Sequence, residues 1–180
     1  RDQKIRKVRM INNLSIFLWA VFLLLLQILV LNNINFLGTI NPYLYVAFIF
    51  IFPLYKNRFI ILLFSFLYGL TLDFFTDTGG VHAFSLLFVA YLRLFFIKLF
   101  FKKTNIDFLL FNLRSEPFGQ VFNYVTTLTI IHHFNLIFLD NFSFENIGLV
   151  ISQTLYSSTF TLILYFFGSS LFQKNSSIKK

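Results

Sequence analysis

The chain has 180 residues, of which 57% are hydrophobic and only 12% charged, whereas a soluble domain carries about 25% charged residues. Its mean hydropathy is +0.76 and its net charge +8, a balance that excludes an ordinary soluble enzyme and a disordered chain, while the absence of cysteine excludes a disulfide framework, a thiol nucleophile, a zinc ribbon and an iron–sulfur site. What remains is an integral membrane protein with room for about six helical spans of roughly 20 residues each and none for a separate soluble domain.

Residues 1–10 are polar and basic, and residues 11–31 form a nearly unbroken apolar run. That run is too long for a signal peptide and no small-x-small cleavage site follows, so a retained first helix is expected. Residues 32–41 are turn-rich. Asn41–Pro42 reads as a helix start, a capping side chain followed by Pro at the first helical position. The apolar run 42–55 contains Pro53 and reaches only about 21 Å at 1.5 Å per residue. It must therefore tilt, thin the bilayer locally or lie buried among other helices.

Lys56-Asn57-Arg58 interrupts the apolar text and is placed most cheaply at the cytoplasmic surface. A third helix is expected over 59–75, a turn over 76–80, a fourth helix over 81–100 and a basic connection over 101–118. A fifth helix follows over 120–139, then a short acidic loop over 140–146, a sixth helix over 147–172 and a polar tail over 173–180. With the N-terminus inside and six crossings, all 15 Lys and Arg fall on the cytoplasmic side, and the outer segments carry Asp73, Asp77, Asp140 and Glu145. This is a complete positive-inside separation. It accounts for the basic charge as a collar on anionic inner-leaflet lipid, so nucleic acid is not needed as a partner. The 29 Phe carry no functional weight, since a biased genome supplies them equally well.

Catalytic and metal-binding patterns are absent: the sequence has no HExxH, no GxSG and no paired aspartates in its expected spans. His132 and His133 are neighbours on the expected fifth helix and point about 100° apart, so they do not share one metal face. The plainer state is a bundle interior in which one of them hydrogen-bonds a neighbouring helix; the other is a ligand or proton-relay role. Asp73 lies four residues after Gly69 and shares its helix face, and Gly69 permits close backbone approach. Asp73 is either an interfacial acid, wetted or capping the fourth helix, or a polar contact inside the bundle or to a partner. Gly79 and Gly80 supply a tight turn with positive φ. His82 starts the fourth helix within reach of Asp73 or Asp77. Arg93, about twelve residues into that helix, either snorkels to the inner surface or makes a buried contact with another helix.

In order, the sequence presents NPYLYV (41–46), Pro53, GLTLD (69–73), GGVHA (79–83), AYLR (90–93), EPFG (116–119), IHHF (131–134) and Asp140. This set resembles the rod shape-determining membrane proteins of the MreD family in the form found in Bacteroidetes-type bacteria, over about residues 11–172. One departure is Leu94, where the family often carries Pro. The resemblance implies an all-α bundle of six transmembrane helices, like the substrate-binding subunits of energy-coupling-factor transporters, with both termini cytoplasmic in the bacterial inner membrane. It implies a non-enzymatic member of the cell-elongation complex without a cofactor. Its direct partner would be MreC, with MreB, RodA and a class B penicillin-binding protein in the wider assembly and membrane lipid around it. Carried over by position, Pro42, Pro53, Gly69, Asp73, Gly80, His82 and Arg93 are fold-defining or partner-facing, and Gly79 joins them through the turn. The competing reading is a vitamin-binding transporter subunit. Docking to its coupling subunit often uses small residues four apart on the first helix, whereas Ser15 and Ala20 are five apart. A third reading is an intramembrane enzyme using His132 or His133.

Overall fold

The computed structural model describes residues 2–34, 40–54, 57–102, 111, 113–142 and 146–177, with side chains described within 14–170. Among the described residues there are six α-helices: α1 (Asp2–Leu29), α2 (Ala47–Ile51), α3 (Arg58–Thr76), α4 (Val81–Phe101), α5 (Phe118–Asn141) and α6 (Ile147–Ser177). Short 3-10 turns precede α2 at Leu44–Val46 and follow α1 at Leu31–Asn33. There is no strand among the described residues. Among the described residues, four helical stretches, Leu14–Asn33, Arg58–Thr76, Val81–Phe101 and Ile147–Ser170, are long and apolar enough to cross a membrane. Their outward surfaces carry large apolar side chains in the open, among them Phe17, Phe74, Phe95, Tyr156 and Phe167. Such a surface fits lipid and not water, which makes this an all-helical membrane-embedded protein. α5 has 24 residues, enough to span, but its Thr, Asn and His residues keep it out of that apolar set.

The expected elements recur with shifted ends. α1 begins at Asp2, so the basic N-terminal segment continues the first helix, and α6 runs on to Ser177. The middle of the basic connection, 103–110 and 112, and residues 143–145 of the acidic loop lie outside the described residues, as do 35–39 of the turn-rich stretch. Despite Leu94, or because of it, α4 runs unbroken past Arg93 to Phe101: Leu has the N–H that Pro would lack.

The second segment departs most from its expectation. Asn41–Pro42 does not open a helix directly, because Tyr43 takes a non-helical ψ of 68° and helical geometry starts at Leu44. It stops at Ile51, because Pro53 forces Phe52 to an extended ψ of 134°. The helical part is therefore too short to cross a bilayer. Of the three possibilities open to a short run, burial among the other helices is the one realised: Tyr45, Val46, Ala47, Phe48, Ile49 and Phe50 are all buried. α1 packs on this segment and on α3, α4 lies between α3 and α5, and α5 lies between α4 and α6.

The closest pairing, α3 against α4, follows from side-chain size. α3 turns Ile61, Ser65, Gly69 and Asp73 inward at intervals of four on one face, with the small residues Ser65 and Gly69 at its middle. A Cβ added at Gly69 would stand 2.5 Å from Cα and 2.7 Å from N of Ala83, and 2.8 Å from O of His82. Only glycine lets the two backbones touch there. The turn that reverses the chain has φ of 56° at Asp77, 63° at Gly79 and 99° at Gly80, so the two glycines take the left-handed conformations assigned to them.

Candidate functional site

Five of the motif residues, Gly69, Asp73, Gly79, Gly80 and His82, gather at the end of the bundle where α3 turns into α4. Gly80 is the N-cap of α4 and has no side chain with which to cap it. Asp73 substitutes from the preceding helix. Its Oδ1 accepts from the backbone N–H of His82 at 2.9 Å, its Oδ2 accepts from that of Ala83 at 2.8 Å, and the Thr78 hydroxyl donates to Oδ1 at 2.6 Å. The carboxylate thus occupies the anion position at a helix N-terminus, where unsatisfied N–H groups and the helix dipole favour negative charge. Asp73 is 5% exposed. The two readings of this residue merge: it caps the fourth helix, and it does so from inside the bundle. The His82 ring does not pair with it. Its Nδ1 lies 2.6 Å from the Tyr45 hydroxyl, so the Asp73 contact runs through the backbone of His82 and not its imidazole.

Around His82 an aromatic cluster forms from three parts of the chain. The Tyr45 ring lies edge-on to His82 and His132, with centroids 5.4 and 5.1 Å away, and Tyr43 lies 5.4 Å from His133. His132 and His133 are themselves 5.3 Å apart and fully buried. His133 is tied on both sides: Nδ1 lies 2.8 Å from the Thr129 carbonyl and Nε2 lies 2.9 Å from Thr161 Oγ1. A carbonyl only accepts, so Nδ1 donates to Thr129, while the Thr161 hydroxyl also lies 2.9 Å from the Ser157 carbonyl and has one proton to share between that oxygen and His133 Nε2. Thr161 also accepts the Tyr43 N–H at 3.0 Å, which fastens α6 to the start of the second segment. The expectation that one of the histidines bonds a neighbouring helix holds for His133. Neither ring nitrogen of His132 has a hydrogen-bond partner. Among the described residues, no group of three or more His, Cys, Asp or Glu is placed to hold a metal.

Pro42 belongs to the same region through its carbonyl, which accepts from Gln27 Nε2 at 3.0 Å. Gln27 Oε1 accepts from the Tyr45 N–H at 3.4 Å, and Nε2 also donates to Asn32 Oδ1 at 2.7 Å. Gln27 is fully buried and bridges α1 to the start of the buried segment, the capping task first assigned to Asn41–Pro42. Gln27 and Thr161 were missed as site residues. A signal for Gln27 was present, since a lone amide inside an apolar span needs partners; Thr161 is one hydroxyl among many on α6 and offers none.

Pro53 and Arg93 form a second, separate cluster between α3 and α4, on the side of α4 away from the Asp73 turn. Arg93 is 5% exposed and does not snorkel. Its Nη2 donates to the Phe52 carbonyl at 2.5 Å, an acceptor freed because Pro53 ends α2 there. Nε and Nη1 have no protein partner, and the Tyr124 phenol lies beside the guanidinium without a hydrogen bond of acceptable geometry. A cavity of about 20 Å³ lies against Arg93, Arg58, Pro53 and Ala90. A wider apolar groove of about 340 Å³ runs along Phe88, Ile130, Phe134, Ile151 and Leu155, where α4, α5 and α6 meet.

Taken together, these contacts define a class before any comparison: a helical membrane protein whose buried polar groups fasten its own helices to one another. No family model matches the chain, and neither a curated protein nor a solved structure does.

Proposed function

We propose that this chain is a non-enzymatic membrane scaffold of the bacterial cell-elongation complex, similar to the MreD proteins. In this reading it holds MreC and thereby helps position the peptidoglycan synthase, with RodA, a class B penicillin-binding protein and MreB in the wider assembly, for lateral wall growth. It resides in the bacterial inner membrane, crosses it six times and keeps both termini in the cytoplasm. The buried second segment counts as one of the six, with its flanks completing the crossing.

The observation that carries the reading is the use made of the motif residues. Gly69, Asp73, Gly79, Gly80 and His82, all within the α3–α4 hairpin, meet in one clasp that locks the two helices together. The buried side chains of Asp73, His82 and His133 are spent on fixing helix positions, which suits a protein that works by holding others. The outward apolar surface of α1, α3 and α4 provides area for packing against the single transmembrane helix of MreC.

The test is co-purification from detergent with tagged MreC. The scaffold reading expects MreC to be retained by the wild type and lost when Gly69→Leu separates α3 from α4. A wild-type chain that leaves MreC behind, under conditions that keep RodA assemblies intact, overturns it. Tight binding of a vitamin by the purified chain would favour a transporter subunit instead.

A further inference from the structure

We propose that the cavity between α3 and α4 is an oxyanion site that takes one non-bridging oxygen of a phosphate group, with Arg93 at its floor and Arg58 at its mouth. The inference rests on the membrane-embedded reading and not on the scaffold role.

Arg93 is the starting point. Its guanidinium is buried, Nε and Nη1 make no hydrogen bond in the protein, and the one polar side chain beside them, the Tyr124 phenol, brings no negative charge. Its one hydrogen bond goes to the neutral Phe52 carbonyl, so no carboxylate among the described residues balances its charge. A buried cation without a counter-ion is costly and calls for an anion. Arg93 lines the cavity, and so does Arg58, an exposed residue at the first position of α3. α3 has 19 residues, and its N-terminus adds the positive end of a helix dipole at the same place.

Size and polarity narrow the ligand. The volume of about 20 Å³ admits roughly one water-sized atom. A phosphodiester meets this condition by inserting a single charged oxygen and leaving its ester groups outside. The rest of the wall is apolar, formed by Pro53, Leu54, Ile61 and Ala90, and Tyr91 stands exposed at the rim. An apolar wall beside a phosphate contact matches a phospholipid, whose acyl chains continue along the outward surface of α3 and α4. Free phosphate supplies the same oxygen without the chains.

The experiment uses the full chain in a nonionic, phosphate-free detergent. Its thermal unfolding midpoint and ligand retention in native mass spectra are followed against dioctanoyl phosphatidylglycerol, dioctanoylglycerol and inorganic phosphate. A ligand that binds only the folded chain raises the midpoint with concentration. We expect the phosphatidylglycerol to raise it and the diacylglycerol to leave it unchanged. Arg58→Gln, on an exposed side chain that folding does not need, is expected to weaken binding about tenfold, the loss of one charge-assisted contact. Arg93→Met is expected to abolish it. Stabilisation by phosphatidylglycerol alone assigns the site to lipid, and equal stabilisation by inorganic phosphate assigns it to a free anion. Binding that is absent for both phosphates, or unchanged in both variants, overturns the proposal. Binding in detergent does not depend on which way the chain is inserted, so a wrong topology and a missing site are told apart by labelling at Asn57.

Discussion

Single side chains at the α3–α4 turn set the geometry of much of this molecule. Gly69→Ala is expected to lower stability by about 1–3 kcal/mol, the cost of overpacking a site that cannot yield, because the new methyl meets the backbone of Ala83. Chemical denaturation in detergent would measure it; an unchanged midpoint would mean that α3 and α4 do not touch there. Asp73→Asn keeps the size but loses the charge and one of the two acceptors facing the His82 and Ala83 N–H groups. A loss of about 1.5–3 kcal/mol follows from the strength of hydrogen bonds to charged groups. Asp73→Glu is not a rescue, since the carboxylate already spans two adjacent N–H groups at 2.9 and 2.8 Å and an added methylene would displace it.

At the scale of elements, the fold depends on contacts that borrow a cap or an acceptor from elsewhere in the chain. The second segment has no side-chain cap of its own at either end. Gln27 of α1 serves its start, Thr161 of α6 holds Tyr43, and Arg93 of α4 takes the carbonyl at its finish. Thr161→Val removes the partner of both the Tyr43 N–H and His133 Nε2, and the expected loss is about 1–3 kcal/mol for the polar groups left unsatisfied. Thr161→Ser keeps the hydroxyl and is expected to stay close to wild type. If Val and Ser behave alike in thermal unfolding, the α5–α6 link does not run through this hydroxyl. Gln27→Leu, a change toward the composition of its own helix, is nonetheless expected to destabilise, because it strips the Pro42 carbonyl and the Tyr45 N–H together.

For the whole molecule the question is how the helices sit in the lipid. The chain has no cysteine, so single cysteines report orientation without background. Asn57→Cys is expected to react with a membrane-impermeant maleimide only after the cells are opened, and Asn146→Cys to react in intact cells. The opposite pattern would reverse the positive-inside assignment. Depletion of the protein in its host is expected to turn rods into spheres if the elongation role is right; cells that keep their length would count against it.

Apolar runs of spanning length, broken at Lys56-Asn57-Arg58 and at the Gly79-Gly80 turn, were enough to place α1, α3, α4 and α6. Hydrophobicity and turn chemistry are local properties, written in consecutive residues. The same holds for the pairing of Gly69 with Asp73 on one helix face. Which of two states Asp73 and Arg93 would adopt was not legible, because each depends on a group far away in the chain: the free N–H groups of α4 and the carbonyl released by Pro53. The roles of Gln27 and Thr161 were decided in the same way. A buried polar atom must find a partner wherever the packing puts one, and that choice exists only once the helices have come together.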